Sequence, residues 1–238
     1  MDFLQVRGEY VSLALVAVLL WLAVRPIAAI VGVPRKQLGE LVLDAGVAFV
    51  AAARLAYLLI EDRGAFTDPL VAIQIQTGLE PLAGAIAALA VVAWRSRALP
   101  RPEQWAWLLA AATAFAVATM AYDGACVVRE ACYGAPAPAP LGFRMSGLAD
   151  TRIATPLVEA ALLLAALGGL VSFWPRLTMR TRALGLLSAL ALLRAALTPL
   201  SVREWDAVDV ETYVLVAAAA LTFAAAAWRP TAPRVAQA

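Results

Sequence analysis

Four ionisable side chains interrupt long apolar runs: Arg54, Glu80, Glu159 and Arg194. An ionisable group at mid-bilayer costs about 2.5–3.5 kcal/mol on insertion scales, so each of these needs a partner or a task. The two arginines are planar forks able to hold a phosphate through paired N–H bonds. The two carboxylates can neutralise those forks or help move a proton. Arg54 is seven residues from Glu61, Glu159 seven from Arg152, and Arg194 nine from Arg203. At helical rise these separations are ~10, ~10 and ~13 Å from the nearest charged boundary, and Glu80 is ~18 Å from Asp68. Two readings follow. The four groups are interhelical ion pairs, or they line one polar cavity whose forks hold a lipid phosphate. Their similar depth points to the cavity.

Other chemistries are narrowed by composition. The chain has no histidine, which excludes imidazole metal sites, triads and histidine proton relays. Its two cysteines, Cys126 and Cys132, cannot form a Cys-rich metal site alone. No metal or organic cofactor is expected. Nor is nucleic acid, because there is no basic tract and no interleaving of aromatic and basic residues. The two cysteines are expected to pack as small buried residues. A disulfide is also allowed in an oxidising compartment, although a helix through Cys126 would place the thiols on different faces. The Ala-Pro alternation from Ala135 to Pro140 cannot be helical and reads as an extended, semi-rigid connector.

These groups need a scaffold, and the scaffold is helical and apolar. The 238 residues are 63% hydrophobic and 15% charged, where a soluble domain is nearer about 45–50% and about 25%. With mean hydropathy +0.80 the expectation is an all-α integral membrane protein. Seven runs approach the ~20 residues a span needs, at 10–31, 40–60, 69–94, 104–124, 154–174, 183–202 and 210–228. Pro26, Pro81 and Pro199 should kink or interrupt their helices. Alternate loops carry Arg35, Lys36, Arg95, Arg97, Arg101, Arg176, Arg180, Arg182, Arg229 and Arg234 against the single acid Glu103. The positive-inside rule therefore predicts an outside N-terminus and a cytoplasmic C-terminus. Residues 1–229 read as one polytopic domain with an outward loop at 125–152, and 230–238 as a disordered tail. Asp44 and Arg25 lie near span ends and can snorkel to the interface.

Several segments carry a family resemblance. Gly32-Val33-Pro34, Leu41-Val42-Leu43-Asp44 and Ala53-Arg54-Leu55-Ala56-Tyr57 resemble the G-A-R-L-G-Y span of the bacterial prolipoprotein diacylglyceryl transferases. Cys126 and the stretch Cys132-Tyr133-Gly134-Ala135-Pro136 through Pro140-Leu141-Gly142 are similar to the family's G-C-F-L-x-G-C-C-Y-G-x-P-T-x-x-P-W-G loop. Arg152-Ile153-Ala154-Thr155-Pro156-Leu157-Val158-Glu159 is similar to its R-H-P-T-Q-L-Y-E. Leu193-Arg194 with Val202-Arg203-Glu204 is similar to its A-R-F-x-V-E-x-x-R-E stretch, offset by two residues. There are departures: Asp123 stands where the family has an arginine, Ile153 where it has a histidine, and Ala131 where some members have a glutamate.

The resemblance implies seven spans in a bacterial plasma membrane. It also implies transfer of the diacylglyceryl group of phosphatidylglycerol, an anionic phospholipid, to the cysteine of a prolipoprotein signal peptide. Arg194 and Glu159 match its catalytic pocket. Arg54, Tyr10, Glu80, Arg129 and Tyr133 are the candidate substrate contacts, with Arg129 a stand-in for the missing loop arginine. The rival expectation is a lipid- or peptide-binding membrane protein that keeps the cavity without the chemistry. A thiol-disulfide protein is a third, unsupported by any C-x-x-C spacing.

Overall fold

The computed structural model describes residues 3–60, 80–128, 134–138, 142–144, 150–173, 176–197 and 210–227. Within them the chain forms seven helices, α1 (Phe3–Val31), α2 (Arg35–Ile60), α3 (Pro81–Ser96), α4 (Arg101–Val128), α5 (Thr155–Ser172), α6 (Met179–Leu197) and α7 (Val210–Ala227). A two-stranded antiparallel sheet, β1 (Gly142–Arg144) with β2 (Thr151–Ile153), lies between α4 and α5 in sequence.

Local chemistry explains the breaks. Gly32 ends α1 at φ 78, a left-handed conformation that glycine adopts without steric penalty. Its N–H and that of Val33 both reach the Ala28 carbonyl, and Pro34 then opens α2. Pro26, in contrast, is carried inside α1 without ending it. Glu80 is extended and caps α3, whose first residue is Pro81. The residue before a proline is driven out of the helical region, and a proline at the first position forfeits no helical hydrogen bond. A continuous helix over 69–94 is therefore replaced by one that starts at Pro81; residues 69–79 lie outside the described part. Thr178 caps α6, its Oγ1 accepting from the Thr181 N–H at 3.2 Å.

The longest central element is α4, which packs against α1, α2, α3, α5 and α6. The shared core draws Val24 and Ile27 from α1, Leu38 and Leu41 from α2, Val92 from α3, Leu109 and Ala110 from α4, and Ala183 and Leu186 from α6. Small residues let these helices approach closely, since van der Waals contact is the main attraction between helices in lipid. The α2–α3 pair is antiparallel. Glu80 meets Ala53 through a backbone hydrogen bond of 2.9 Å, Gly84 sits against Phe49, and Arg95 pairs with Asp44 at the other end. The Arg95 partnership gives Asp44 a role that the snorkelling expectation did not include. Helix α7 is tied to α6 by Ser188, whose Oγ donates to the Ala219 carbonyl at 3.1 Å.

The surface is inverted relative to a water-soluble protein. Trp21, Leu43, Leu164 and Leu221 are each more than 60% exposed, while Arg54, Asp123 and Glu159 are buried. Four segments are long and apolar enough to cross a membrane: Ala14–Val31, Arg35–Ile60, Arg101–Val127 and Thr155–Ser172. Helix α3 is apolar but shorter.

The connection from α4 to α5 is more ordered than a simple extended linker. Gly134, Ala135 and Ala137 hydrogen-bond to Ile153 and Thr151 along one side of β2, while β1 pairs along the other. The Ala-Pro stretch is extended as expected, but its described part, Ala135 to Pro138, is laid against β2. Gly142 is obligatory here, because a Cβ would fall 2.0 Å from the Ala137 carbonyl oxygen.

Close helix contact generates a test. A Cβ on Gly84 would stand 2.8 Å from the Phe49 ring and 2.9 Å from its backbone oxygen. Gly84→Ala is expected to destabilise the bundle by ~1–3 kcal/mol, seen as a lower melting temperature of the detergent-purified protein. Gly168→Ala, where a Cβ meets nothing within 4 Å, should leave that temperature unchanged or slightly raised.

Candidate functional site

The charged residues gather where α2, α4 and α6 finish and α3 and α5 begin. Glu159 stands in the second turn of α5 and Arg194 in the last turn of α6. These helices are antiparallel neighbours, so the two side chains meet, with Arg194 Nη1 donating to Glu159 Oε2 at 3.3 Å. The carboxylate side chain is 11% exposed and the guanidinium side chain 48% exposed. One partner is thus sealed between helices and the other reaches outward from it. A guanidinium carries five N–H donors in a planar fork, more than one carboxylate can engage.

The third member of this cluster is Asp123. It lies in α4, is buried at 6% exposure, and is close enough to Glu159 and Arg194 for both charges to act on it. Its Oδ2 is buried and has no hydrogen-bond partner. In the sequence Asp123 stands one residue before the end of the apolar run 104–124. Helix α4 continues to Val128, which draws the residue into the bundle. The signal was present in Tyr122-Asp123-Gly124, an acid at the end of a spanning run, but linear spacing did not show its neighbours.

Arg54 and Glu80 form a second grouping. Arg54 is buried at 6% exposure with its guanidinium 5.4 Å from the Tyr57 ring centre, a cation–π distance. Glu80 joins it through the Ala53 backbone contact. Glu80 starts a helix at the level of Arg54. The rings of Phe49 and Phe115 touch at 6.2 Å between centres, linking α2 to α4. Arg54 is five residues beyond that contact along α2, and Asp123 eight residues beyond it along the parallel α4. Both groupings therefore lie toward the same end of the bundle, ~8 and ~12 Å past the phenylalanines. Tyr10 falls within α1, but its side chain lies outside the described residues, as do Arg129 and Tyr133 entirely.

Arg152, in β2, is 3.7 Å from Asp150 and sits just ahead of α5. No group of three or more His, Cys, Asp or Glu residues among those described could hold a metal ion. Two apolar grooves open on the helix surfaces, neither lined by the charged cluster. One of about 500 Å³ lies between α1 and α4 at Leu19, Leu22, Val117 and Ala121. The other, about 470 Å³, lies between α5 and α6 at Gly169, Leu170, Arg176 and Gly185.

Cys126 is fully buried and disulfide-bonded, which overturns the expectation of two packed thiols. Its partner can only be Cys132, the one other cysteine of the sequence, which lies outside the described residues. The objection from helical spacing fails because α4 ends at Val128, two residues after Cys126.

No family model and no curated protein matches the chain. The likeness to the diacylglyceryl transferases therefore rests on the motif residues themselves.

The disulfide closes a short loop, so its entropic contribution is about 2 kcal/mol. Reduction of the purified protein should slow or spread its band on a denaturing gel relative to the oxidised form. Cys126→Ser should lower the melting temperature by an amount equal to that of reduction. Unchanged stability in both would show that the bond contributes nothing.

Proposed function

We propose that this chain is a phospholipid-handling membrane protein of the diacylglyceryl transferase type, with Arg194 as the fork that receives the lipid phosphate and Glu159 as the carboxylate that orients it. The observation that carries this reading is the 3.3 Å pair itself, sealed on the Glu159 side and open on the Arg194 side. An ion pair with a half-exposed partner contributes only about 0–1 kcal/mol to stability, so this one is of small structural value. A half-open guanidinium in an apolar surface is suited to exchange partners with a lipid phosphate. In the transferase reading the donor named by the motifs is phosphatidylglycerol and the acceptor a signal-peptide cysteine. Arg194 stabilises the departing glycerol phosphate, and Arg54 gives a second cation at the same end of the bundle. Glu159 or Glu80 would take the acceptor's proton.

The second reading, a lipid-binding protein without turnover, is favoured by Asp123. A carboxylate there sets a negative charge beside the place where the leaving phosphate would accumulate charge. Complementation of a transferase-depleted bacterium, with a lipidation assay on a model prolipoprotein, separates the two. Lipidated product supports turnover, whereas lipid retention without product supports binding alone.

Arg194→Lys keeps the charge but loses the bidentate fork, and is expected to reduce co-purified phospholipid about tenfold while leaving the fold intact. Arg54→Lys should have the smaller effect. Equal lipid retention in wild type and both variants would leave Arg194 as interhelical glue.

The same reading takes all seven helices as spans with the N-terminus outside and the C-terminus cytoplasmic, in a bacterial plasma membrane. Its support is the concentration of basic residues in alternate loops. Ala98 and Phe143 are exposed in opposite connections. With the native cysteines oxidised, Phe143→Cys should react with an impermeant thiol reagent on intact cells and Ala98→Cys only after the cells are opened. The reverse pattern would invert the orientation.

A further inference from the structure

We infer that the groove between α5 and α6 binds an anionic phospholipid, with one acyl chain lying between the helices and the phosphate held by Arg176. The site stands at the end of the bundle opposite the Arg194–Glu159 pair and does not depend on how that pair is read.

The groove has a volume of about 470 Å³ and is lined by Gly169, Leu170 and Phe173 on the α5 side, Arg176 in the connection, and Gly185 and Ala189 on α6. Its space comes from missing side chains. A Cβ on Gly169 or Gly185 would meet nothing within 4 Å, so neither glycine serves close helix packing as Gly84 does against Phe49. On α6 the lining extends to Ala189, ten residues and ~15 Å into the helix. That is half of a ~30 Å hydrocarbon core, the depth that the acyl chains of one leaflet fill. Left empty, such a groove forfeits dispersion contacts along both walls, and an acyl chain restores them.

Charge at the mouth selects the headgroup. Arg176 is exposed, and among the described residues no carboxylate pairs with it. No acid lines the groove, and none occurs in the sequence between Glu159 and Glu204. The acids at this end of other helices are Glu40, Asp44 and Glu103, of which Asp44 is paired with Arg95. Arg97, Arg101, Arg180 and Arg182 add to the positive side. Two tryptophans mark the headgroup level: Arg97 lies 3.3 Å over the Trp94 ring, and Arg180 is 5.7 Å from the centre of Trp105. Arg176, four residues before Arg180, is thus placed where lipid phosphates lie, with the groove running from it into hydrocarbon. A guanidinium fork there suits a phosphate, and basic sites between spanning helices favour net-anionic headgroups. A choline headgroup also brings a phosphate, but its cation meets no acid along the groove.

The groove is open along its length and its lipid exchanges, so it is read at equilibrium with added lipid and not from what co-purifies. The full chain in detergent is titrated with phosphatidylglycerol or phosphatidylcholine of identical acyl chains, and bound lipid is counted by native mass spectrometry. Arg176→Gln and Gly185→Leu are each made in wild type and in Arg194→Lys, which removes the other fork. In Arg194→Lys the glycerol lipid should bind about tenfold more tightly than the choline lipid, and Arg176→Gln should abolish that difference, a loss matching one charge-assisted hydrogen bond. Gly185→Leu fills the tail's space and should weaken both lipids at least about tenfold. Its melting temperature should be unchanged or raised, since leucine is the better helix former. Should Gly185→Leu not fold, Gly169→Leu tests the same space from the opposite wall.

Equal binding of the two lipids with Arg176 in place, or glycerol-lipid binding unmoved by Arg176→Gln, overturns the headgroup site. Binding unmoved by a folded glycine variant overturns the groove as the place of the tail. A dimer that Gly185→Leu converts to a monomer would put a second copy of this chain in the groove and overturn the inference as well. A loss in Arg176→Gln where Arg194→Lys changes nothing supports the groove and sinks only the phosphate fork at Arg194.

Discussion

A charge removed from water must be neutralised or hydrogen-bonded within the protein, and the arrangement of α4, α5 and α6 follows from that requirement. Arg194 on α6 and Glu159 on α5 satisfy each other across the helix pair. Neither could be removed alone without leaving an uncompensated ion in an apolar surround. Their pairing sets how α5 and α6 are rotated about their own axes. It also fixes the side of the bundle toward which the acid of α4 must point. Asp123 is the member left with a buried oxygen, Oδ2, that no hydrogen bond satisfies.

The bundle that holds this cluster sets small residues among its larger apolar ones. Between larger leucine, isoleucine and valine side chains, alanines stand at the core positions Ala28, Ala110, Ala112, Ala114 and Ala183. Such side chains give little hydrophobic gain, and helices in lipid obtain none from one another because the surrounding hydrocarbon is equally apolar. What they gain is close approach, with many weak dispersion contacts and short backbone separations, as at Gly84 and Phe49. Other large side chains face outward, and Trp21, Leu43 and Leu164 are displayed on the outside.

The α4–α5 connection adds constraints of a different kind. Cys126 is covalently tied near the end of α4, and β2 leads directly into α5 with Gly134–Ala137 on one edge and β1 on the other. Asp123 is one turn before the tethered cysteine, and Glu159 a little over one turn after the sheet. The loop therefore limits how far the two acids can separate, which keeps a mutually repelling pair in one place.

Much of this protein was legible before any coordinates. Helix content, apolar spans and the sparse charges within them follow from composition, because each residue type carries its own transfer cost whatever its neighbours are. The helix boundaries at Gly32 and Pro81 were also local, since a positive φ and a missing N–H act on the backbone at one position. The pairing of Arg194 with Glu159 was foreseen only as one option among several. That Glu80 stands level with Arg54 was not legible, because residue counting presumes an unbroken helix over 69–94 and one starts at Pro81. Cys126 was misread because linear spacing could not show that α4 ends two residues later. Asp123 was overlooked because its significance lies in what surrounds it. Sequence specifies how much a buried carboxylate costs; only the packing of α4 against α5 and α6 decided that this one would be buried, beside a second acid, with an oxygen left unsatisfied.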